Sequence, residues 1–336
     1  MSREKGISVI IPCYNDGRFI TEAVESVYGQ KTDIPFEVLI IDDGSTDKKT
    51  HEITQSLAAE HSDTLRLIRH KRNKGLPTAR NTGLKHAKYP YIFPLDSDDK
   101  LSCDPEMTKS GGYLGRAVDV LEENSDVVYA YPGTHLFGAV ECKYVFKLPY
   151  DEETLLYIHN VGPYVVYRRD EALEIGGYTD RMRYAEDWDF NIAMINGRHK
   201  QGRPAEVRQF KEPYILYRRR EDGTNMTSAP ALNNRQVMQY LIKRSPEIYQ
   251  KYCPGENDGE ILDHALRKHY EVRAKSSAAF ALHCVFNPIA SFRDGSIALG
   301  IHTARRKLHK LWAEHVTDDS PQGQGVQAEP QTHDIV

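Results

Sequence analysis

Tyr91-Ile92-Phe93-Pro94-Leu95-Asp96-Ser97-Asp98-Asp99 is the stretch from which the fold can be read. Its first five residues form a short apolar run that reads as a buried strand. The strand delivers three carboxylates, Asp96, Asp98 and Asp99, within four residues. Like charges that close repel, and each raises the others' affinity for protons. A turn in water tolerates such a cluster. A divalent cation would instead gather the oxygens, because a hard cation takes several carboxylate ligands at one point. The cluster alone does not choose between these readings; the rest of the chain has to.

Upstream, the same grammar repeats. Ile7-Ser8-Val9-Ile10-Ile11-Pro12 is a nearly continuous apolar run rich in β-branched residues, the signature of a strand buried on both faces of a parallel sheet. Cys13-Tyr14-Asn15-Asp16-Gly17 is turn chemistry, and Phe19, Ile20, Ala23, Val24 and Val27 line one face of a helix. Phe36 to Ile41 is a second buried strand, ending in Asp42-Asp43-Gly44-Ser45-Thr46-Asp47, and a helix carrying Ile53 and Leu57 follows. Leu65 to Ile68 is a third strand. Asn73-Lys74-Gly75 breaks the chain before a helix through Ala79, Leu84 and Ala87. Alternating strands and helices predict an α/β fold with a mostly parallel central sheet. Ligands of such sheets sit beyond the carboxyl ends of the strands. Pro12 to Asn15, Asp42 to Ser45 and Asp96 to Asp99 all fall there. Singly, each has a bland explanation as a surface aromatic, a helix cap or a solvated turn; three on one edge do not.

Composition bounds the function. With 336 residues, 40% hydrophobic and 27% charged, the chain has room for one large α/β domain plus an extension. A net charge of −4 gives no basic field for nucleic acid. The five cysteines are scattered with no C-x-x-C pair, which predicts neither a zinc site nor a disulfide framework and fits a reducing, cytoplasmic compartment. Strand-like sequence from Ile7 leaves no space for a signal peptide, and no run approaches the roughly 18 apolar residues of a membrane span.

Taken together, Ser8-Val9-Ile10-Ile11-Pro12-Cys13-Tyr14-Asn15, Ile41-Asp42-Asp43-Gly44-Ser45-Thr46-Asp47, Asn73-Lys74-Gly75-Leu76 with Ala79-Arg80-Asn81-Thr82-Gly83-Leu84, and Asp96-Ser97-Asp98-Asp99 resemble the inverting family 2 glycosyltransferases of the GT-A fold. Four motifs in order over about 100 residues are specific where any one would be weak. The resemblance implies a nucleotide-sugar donor, with a UDP-linked sugar expected, and Mg or Mn. It implies that Pro12, Tyr14 and Asn15 flank the base pocket, that Asp42 accepts a hydrogen bond from the base, and that Lys74 and Arg80 lie near the diphosphate. Asp96 would reach the ribose or sugar. Asp98, with Asp99 close by, would hold the metal, although the pattern leaves open how the three aspartates divide the work. An EF-hand reading of the same acids fails, since Lys100, Leu101 and Met107 would fill positions needing an oxygen ligand, a glycine and a glutamate.

In the second half, residues 101–112 read as a polar loop and Tyr113 to Glu123 as a helix. Val127 to Tyr131, a stretch near Tyr144-Val145-Phe146, and Pro163 to Tyr167 read as strands. A short helix and Gly176-Gly177-Tyr178 come next. Glu186-Asp187-Trp188 then opens a helix, where acids suit the first turn by the macrodipole alone. Gly-Gly-Tyr followed by Glu-Asp-Trp matches the family's acceptor-side motif. That match implies Asp187 as catalytic base, with Glu186 and Trp188 on the acceptor side and Trp188 in the floor beneath the sugar. The family often carries a histidine in the loop that begins at Tyr217-Arg218-Arg219-Arg220 and closes over the nucleotide. Arg220 stands there instead, which favours an arginine–phosphate contact over a third metal ligand.

The expected organisation is a catalytic domain over residues 1–230, a helical extension over 231–316 and a disordered tail over 317–336. In the extension, Gln236 to Arg244 and Glu260 to Phe286 are helical by pattern. Ile297, Ile301, Ala304, Leu308 and Leu311 form an apolar stripe beside basic residues, suited to docking on the catalytic domain or to peripheral contact of residues 295–315 with an anionic membrane surface. The expected acceptor is a glycan or lipid-linked saccharide. Three rivals fit less well. A non-catalytic nucleotide-sugar sensor would lack Asp187, a sugar-phosphate nucleotidyltransferase opens with a glycine-rich loop, and a dehydrogenase needs G-x-G-x-x-G after strand one.

Overall fold

The computed structural model describes residues 4–141, 150–182, 185–220 and 234–286, with side chains as far as residue 273. The apolar runs become strands β1 (Ile7–Cys13), β2 (Phe36–Asp42), β3 (Leu65–Arg69) and β4 (Tyr91–Pro94). Every residue of β1 and β4 is buried, which is why neither run shows the alternation of a half-exposed strand. Helices α1 (Ile20–Tyr28), α2 (Lys48–Glu60) and α3 (Leu76–His86) make the crossovers. Asp47 caps α2 by accepting the Thr50 N–H at 2.7 Å. Beyond them lie β5 (Lys100–Leu101), α4 (Pro105–Thr108), α5 (Gly112–Glu123), β6 (Val127–Tyr131), β7 (Thr134–Gly138), α6 (Glu152–Tyr157), β8 (Val166–Arg168) and α7 (Arg169–Glu174). The described chain ends with α8 (Glu186–Lys200), β9 (Glu206–Gln209), β10 (Ile215–Arg219), α9 (Asn234–Arg244), α10 (Pro246–Tyr252) and α11 (Asp258–Phe286).

The main sheet has the order β3-β2-β1-β4-β8-β6-β9, in which β8 alone runs antiparallel to both its neighbours. A three-stranded sheet, β5-β10-β7, stands beside it. The parallel pairing carries Cys13 opposite Asp42 and Asp42 opposite Arg69, so the ends of β1, β2 and β3 meet at one edge. The expected mostly parallel α/β architecture is therefore present. Residues 101–112 differ from the expected loop: they hold the end of β5 and α4, the latter capped by Asp104 accepting the Glu106 N–H. A two-residue strand has no periodicity to read. Strands β7 and β9 and helices α6 and α10 were likewise too short to announce themselves. The proposed strand near Tyr144, the stripe from Ile297 to Leu311 and the tail lie outside the described residues.

Helices α9, α10 and α11 share the core of the sheet. Val237, Met238 and Leu241 of α9, Tyr249 of α10 and Leu262 of α11 belong to one apolar cluster with Ile10, Leu39 and Ile92 of the sheet. Arg244 of α9 donates to Asp189 on α8 and, at 2.6 Å, to the Gly177 carbonyl. Helices α9–α11 thus brace the helix that opens with Glu186 and Asp187.

One glycine is fixed by packing between α3 and β1. A Cβ on Gly83 of α3 would lie 2.4 Å from the Ile10 Cγ2, so α3 can approach β1 only without a side chain there. Gly83→Ala is predicted to lower unfolding stability by about 1–3 kcal/mol through overpacking, although alanine is the better helix former. A denaturant midpoint equal to that of the unmutated protein would show that Ile10 can yield.

Candidate active site

The strand edge opens into a cleft of about 760 Å³, a size suited to a nucleotide-like ligand. Pro12 near the end of β1, Tyr14 just after it, Lys74 before α3, Asp96 and Asp98 after β4, and Arg220 after β10 line it. Tyr14 is 45% exposed, an aromatic ring on the wall of the cleft. A second hollow of about 810 Å³, between α1, α4 and the small sheet, meets none of the carboxyl ends of β1, β2 or β4.

Several expected residues stand elsewhere. Asn15 does not line the cleft; it adopts φ 51° and ties two loops, its Oδ1 accepting from the Thr46 and Asp47 amides. Asparagine tolerates that left-handed backbone better than most residues. Asp42 is wholly buried. One oxygen takes the Ser45 N–H at 2.8 Å and the other the Arg69 Nε at 2.7 Å, so it is no open acceptor for a base. The cleft is lined by Asp43 instead, whose carboxylate also accepts the Lys74 and Gly75 amides and faces His70 at 2.6 Å. Successive residues of an extended chain point to opposite sides, and which of two adjacent aspartates faces the ligand is set by strand register.

Arg80 also differs from expectation. Rather than offering an open fork to phosphate, it is 1% exposed and bridges two acids, donating to Asp96 Oδ1 at 2.8 Å and Glu186 Oε1 at 2.9 Å. Burial opposes its charge, but Asp96 and Glu186 outweigh that cost and hold the guanidinium firmly protonated. This bridge joins the end of β4 to the start of α8, 90 residues apart in sequence (186 − 96). Asn81, next in α3, clamps the Gly-Gly-Tyr loop through two bonds to the Tyr178 backbone.

The acidic turn divides its labour. Asp99 is 2% exposed and turned inward: one oxygen accepts the Arg218 N–H at 2.6 Å and the other the Tyr164 hydroxyl. Burial, with Asp98 and Asp96 adding to it, pushes its carboxyl well above the usual range. Asp99 is therefore a structural anchor between the turn and β10, not an open metal ligand as expected. Asp98 is the one that faces Arg220, whose Nε donates to Oδ2 at 2.8 Å. The same guanidinium reaches Asp16 Oδ2 at 2.8 Å. Burial raises the Asp98 carboxyl to about 6 despite Arg220, with Asp96 and Asp16 adding repulsion. Asp16, in the turn after β1, is a cleft residue that the sequence reading did not single out; its Oδ1 is buried with no hydrogen-bond partner among the described residues. Of the arginine run, Arg218 stacks between Phe19 and Phe137, at 4.3 and 4.4 Å from their ring centres, and pairs with Glu22. Only the fold separates that packing arginine from Arg220.

At the start of α8, Glu186 is 6% exposed and raised to about 7 by burial and by the charge of Asp187, against the pull of Arg80. Asp187 is raised by burial while Arg80 opposes the rise. Its Oδ1 takes the Trp188 N–H at 2.9 Å, and its Oδ2 lies 3.6 Å from His159 Nε2. Trp188 is 6% exposed and donates its indole N–H to the Leu155 carbonyl, so it packs in the core and is no open floor for a sugar. Burial of a tryptophan whose N–H finds a partner is invisible to spacing arguments.

A parallel sheet whose carboxyl edge carries an aromatic, a basic residue and a cluster of acids defines a nucleotide-binding α/β protein. Residues 8–170 match the model of glycosyl transferase family 2. The uncharacterized glycosyltransferase EpsJ of Bacillus subtilis is 30% identical over 255 residues, covering 70% of this chain and 68% of EpsJ. A PGL/p-HBAD biosynthesis glycosyltransferase of Mycobacterium bovis is 28% identical over 190 residues, covering 56% and 69%. Among solved structures, S. aureus TarS in complex with UDP-GlcNAc aligns with a TM-score of 0.56 at 20% identity, over 79% of this chain and 73% of that one. The chain belongs to glycosyltransferase family 2, with the GT-A-like fold that the motifs implied, and is a glycosyltransferase.

Proposed function

We propose that this glycosyltransferase is an inverting enzyme that takes a sugar from a UDP-linked donor and passes it to a hydroxyl of a glycan or lipid-linked acceptor. The observation that carries the reading is the Arg80 bridge. It joins the acidic turn of the cleft to the helix start bearing Asp187, so donor groups and base share one rigid unit. The base and sugar of the donor are suggested by the UDP-GlcNAc held in TarS, and the acceptor class by the family. In this reading Pro12 and Tyr14 pack the nucleoside base, Asp43 takes the base-edge role first expected of Asp42, and Asp96 faces the sugar. Lys74 and Arg220 meet the diphosphate. Arg220 suits that task because its fork binds phosphate oxygens in pairs.

Asp187 accepts the proton of the acceptor hydroxyl as attack on the anomeric carbon begins, since a hydroxyl of high pKa needs a positioned carboxylate. Attack from the face opposite the leaving diphosphate inverts the carbon, and one base suffices. Among the described residues no three acidic, histidine or cysteine side chains form a ready cage for a metal. The residues nonetheless fit Mg or Mn, which typically take one or two carboxylates plus substrate phosphates. Asp98, partnered by Asp96, supplies the carboxylates, and the unpartnered Asp16 Oδ1 adds negative charge beside them. Such an ion stabilises the charge that develops on the leaving diphosphate. The cytoplasmic location and a peripheral membrane contact through residues 295–315 rest on the sequence; among the described residues no helix is long and apolar enough to cross a membrane.

Calorimetry with UDP, with and without Mn, tests the reading. In the unmutated protein Mn is expected to strengthen UDP binding, and Asp98→Asn to remove at least about tenfold of that gain. UDP affinity indifferent to Mn would take the metal out of the proposal.

A further inference from the structure

His159 lies between α6 and β8, outside every motif of the sequence, and 26% of its side chain is exposed. Its ring stacks nearly parallel to Trp188, at 6.1 Å between centroids and 19° between planes. Its Nε2 accepts the Gly162 N–H at 3.1 Å, which makes that nitrogen an acceptor. The same Nε2 faces Asp187 Oδ2 at 3.6 Å. Asp187 Oδ1 is already bound to the Trp188 amide, so Oδ2 is the oxygen left for an acceptor hydroxyl. Two acceptors thus stand face to face; a proton taken up on Nε2 displaces the Gly162 N–H and lets the ring close the remaining 3.6 Å to Oδ2 as a donor.

We propose that His159 is a positioning residue for Asp187, orienting Oδ2 and sharing the proton that the base removes from the acceptor. The inference rests on Asp187 being the base. The acceptor oxygen forms its bond to the anomeric carbon as the bond from that carbon to the diphosphate oxygen breaks, and the electron pair leaves with the diphosphate. The acceptor's proton passes to Asp187 Oδ2, is shared with His159 Nε2 and is then released to solvent. No oxidant or further reactant is needed. Among the described residues the groups around Asp187 are Glu186 on its own helix, Arg80 from α3, Asp96 after β4, Tyr178 in the loop before α8 and His159. Of these, His159 is the imidazole that faces Asp187 Oδ2 and stands outside the Arg80 bridge.

The active form is the pair with neither group protonated. Two coupled groups take up their first proton at higher pH than the carboxylate would alone. In His159→Gln the acid limb of the kcat profile is therefore expected to move to lower pH, by about one unit. The plateau kcat should fall about tenfold, with donor Kd unchanged. His159→Phe keeps the stack on Trp188 and removes Nε2; it should behave as His159→Gln does. If both variants bind UDP normally and keep the unmutated kcat and acid limb, His159 has no such role. A fall in kcat with the acid limb unmoved would make it a packing residue only, and also overturns the proposal. Asp187→Asn run in parallel separates the two levels: full activity there removes the base assignment itself, whereas its loss beside an unaffected His159→Gln removes only the inference about His159.

Discussion

Asp187→Asn is expected to lower the transfer rate by on the order of 10²–10⁴ while leaving donor affinity nearly unchanged. That loss corresponds to about 3–5 kcal/mol of barrier. The substitution keeps the shape of the side chain and its contact with the Trp188 amide but cannot take a proton. It also spares the bridge, because Arg80 is bound by the neighbouring Glu186 and by Asp96, not by Asp187. Since a base acts mainly in the transition state, kcat should drop with little change in the UDP dissociation constant. Both quantities measured on one preparation decide the matter. Transfer at the unmutated rate would move the base elsewhere, with Glu186, raised to about 7, the next candidate. Joint loss of binding and activity would make Asp187 part of the donor pocket or the fold. The same experiment separates an enzyme from a nucleotide-sugar sensor, which would not need this carboxylate.

Arg80→Met is expected to cost about 3 kcal/mol of stability, because it leaves the buried Glu186 and the partly exposed Asp96 without their shared cation. Methionine fills much of the volume, so the loss reports charge more than cavity. The pH dependence carries a definite sign. Burial already raises Glu186 to about 7, so its native carboxyl binds a proton that the unfolded chain, near 4.5, has released. Stability linked to that group is fully present below the unfolded value and is lost as pH rises through the folded one. Removing Arg80 raises the folded value further. The variant's deficit should therefore be smaller at pH 5, where Glu186 is protonated in both proteins, than at pH 8. Denaturant unfolding at the two pH values checks this. An equal deficit at both would mean that the bridge contributes packing alone. UDP-sugar affinity should fall as well, since Asp96 loses the partner that fixes it in the cleft.

Local sequence was enough for a good part of this protein. Ile7 to Pro12 and Tyr91 to Leu95 are read as buried strands because each is apolar almost throughout, and burial on both faces requires that. The alternation of such runs with amphipathic helices fixes a parallel sheet, and a parallel sheet fixes the edge on which Tyr14, Lys74, Asp96 and Asp98 meet. Short-range spacing also marks the acidic opening of α8. Tertiary structure decided what spacing cannot carry. It chose Asp43 over Asp42 for the cleft, because side chains of an extended segment alternate and only register says which faces out. It separated Asp98 from Asp99 through the Tyr164 hydroxyl and the Arg218 amide, partners 65 and 119 residues away in the chain. It turned Arg80 from a phosphate ligand into a buried bridge, and set His159 beside Asp187. In each case the outcome depends on a desolvated charge finding its partner across the fold. That pairing energy belongs to residues distant in sequence, and so appears only once the chain has closed upon itself.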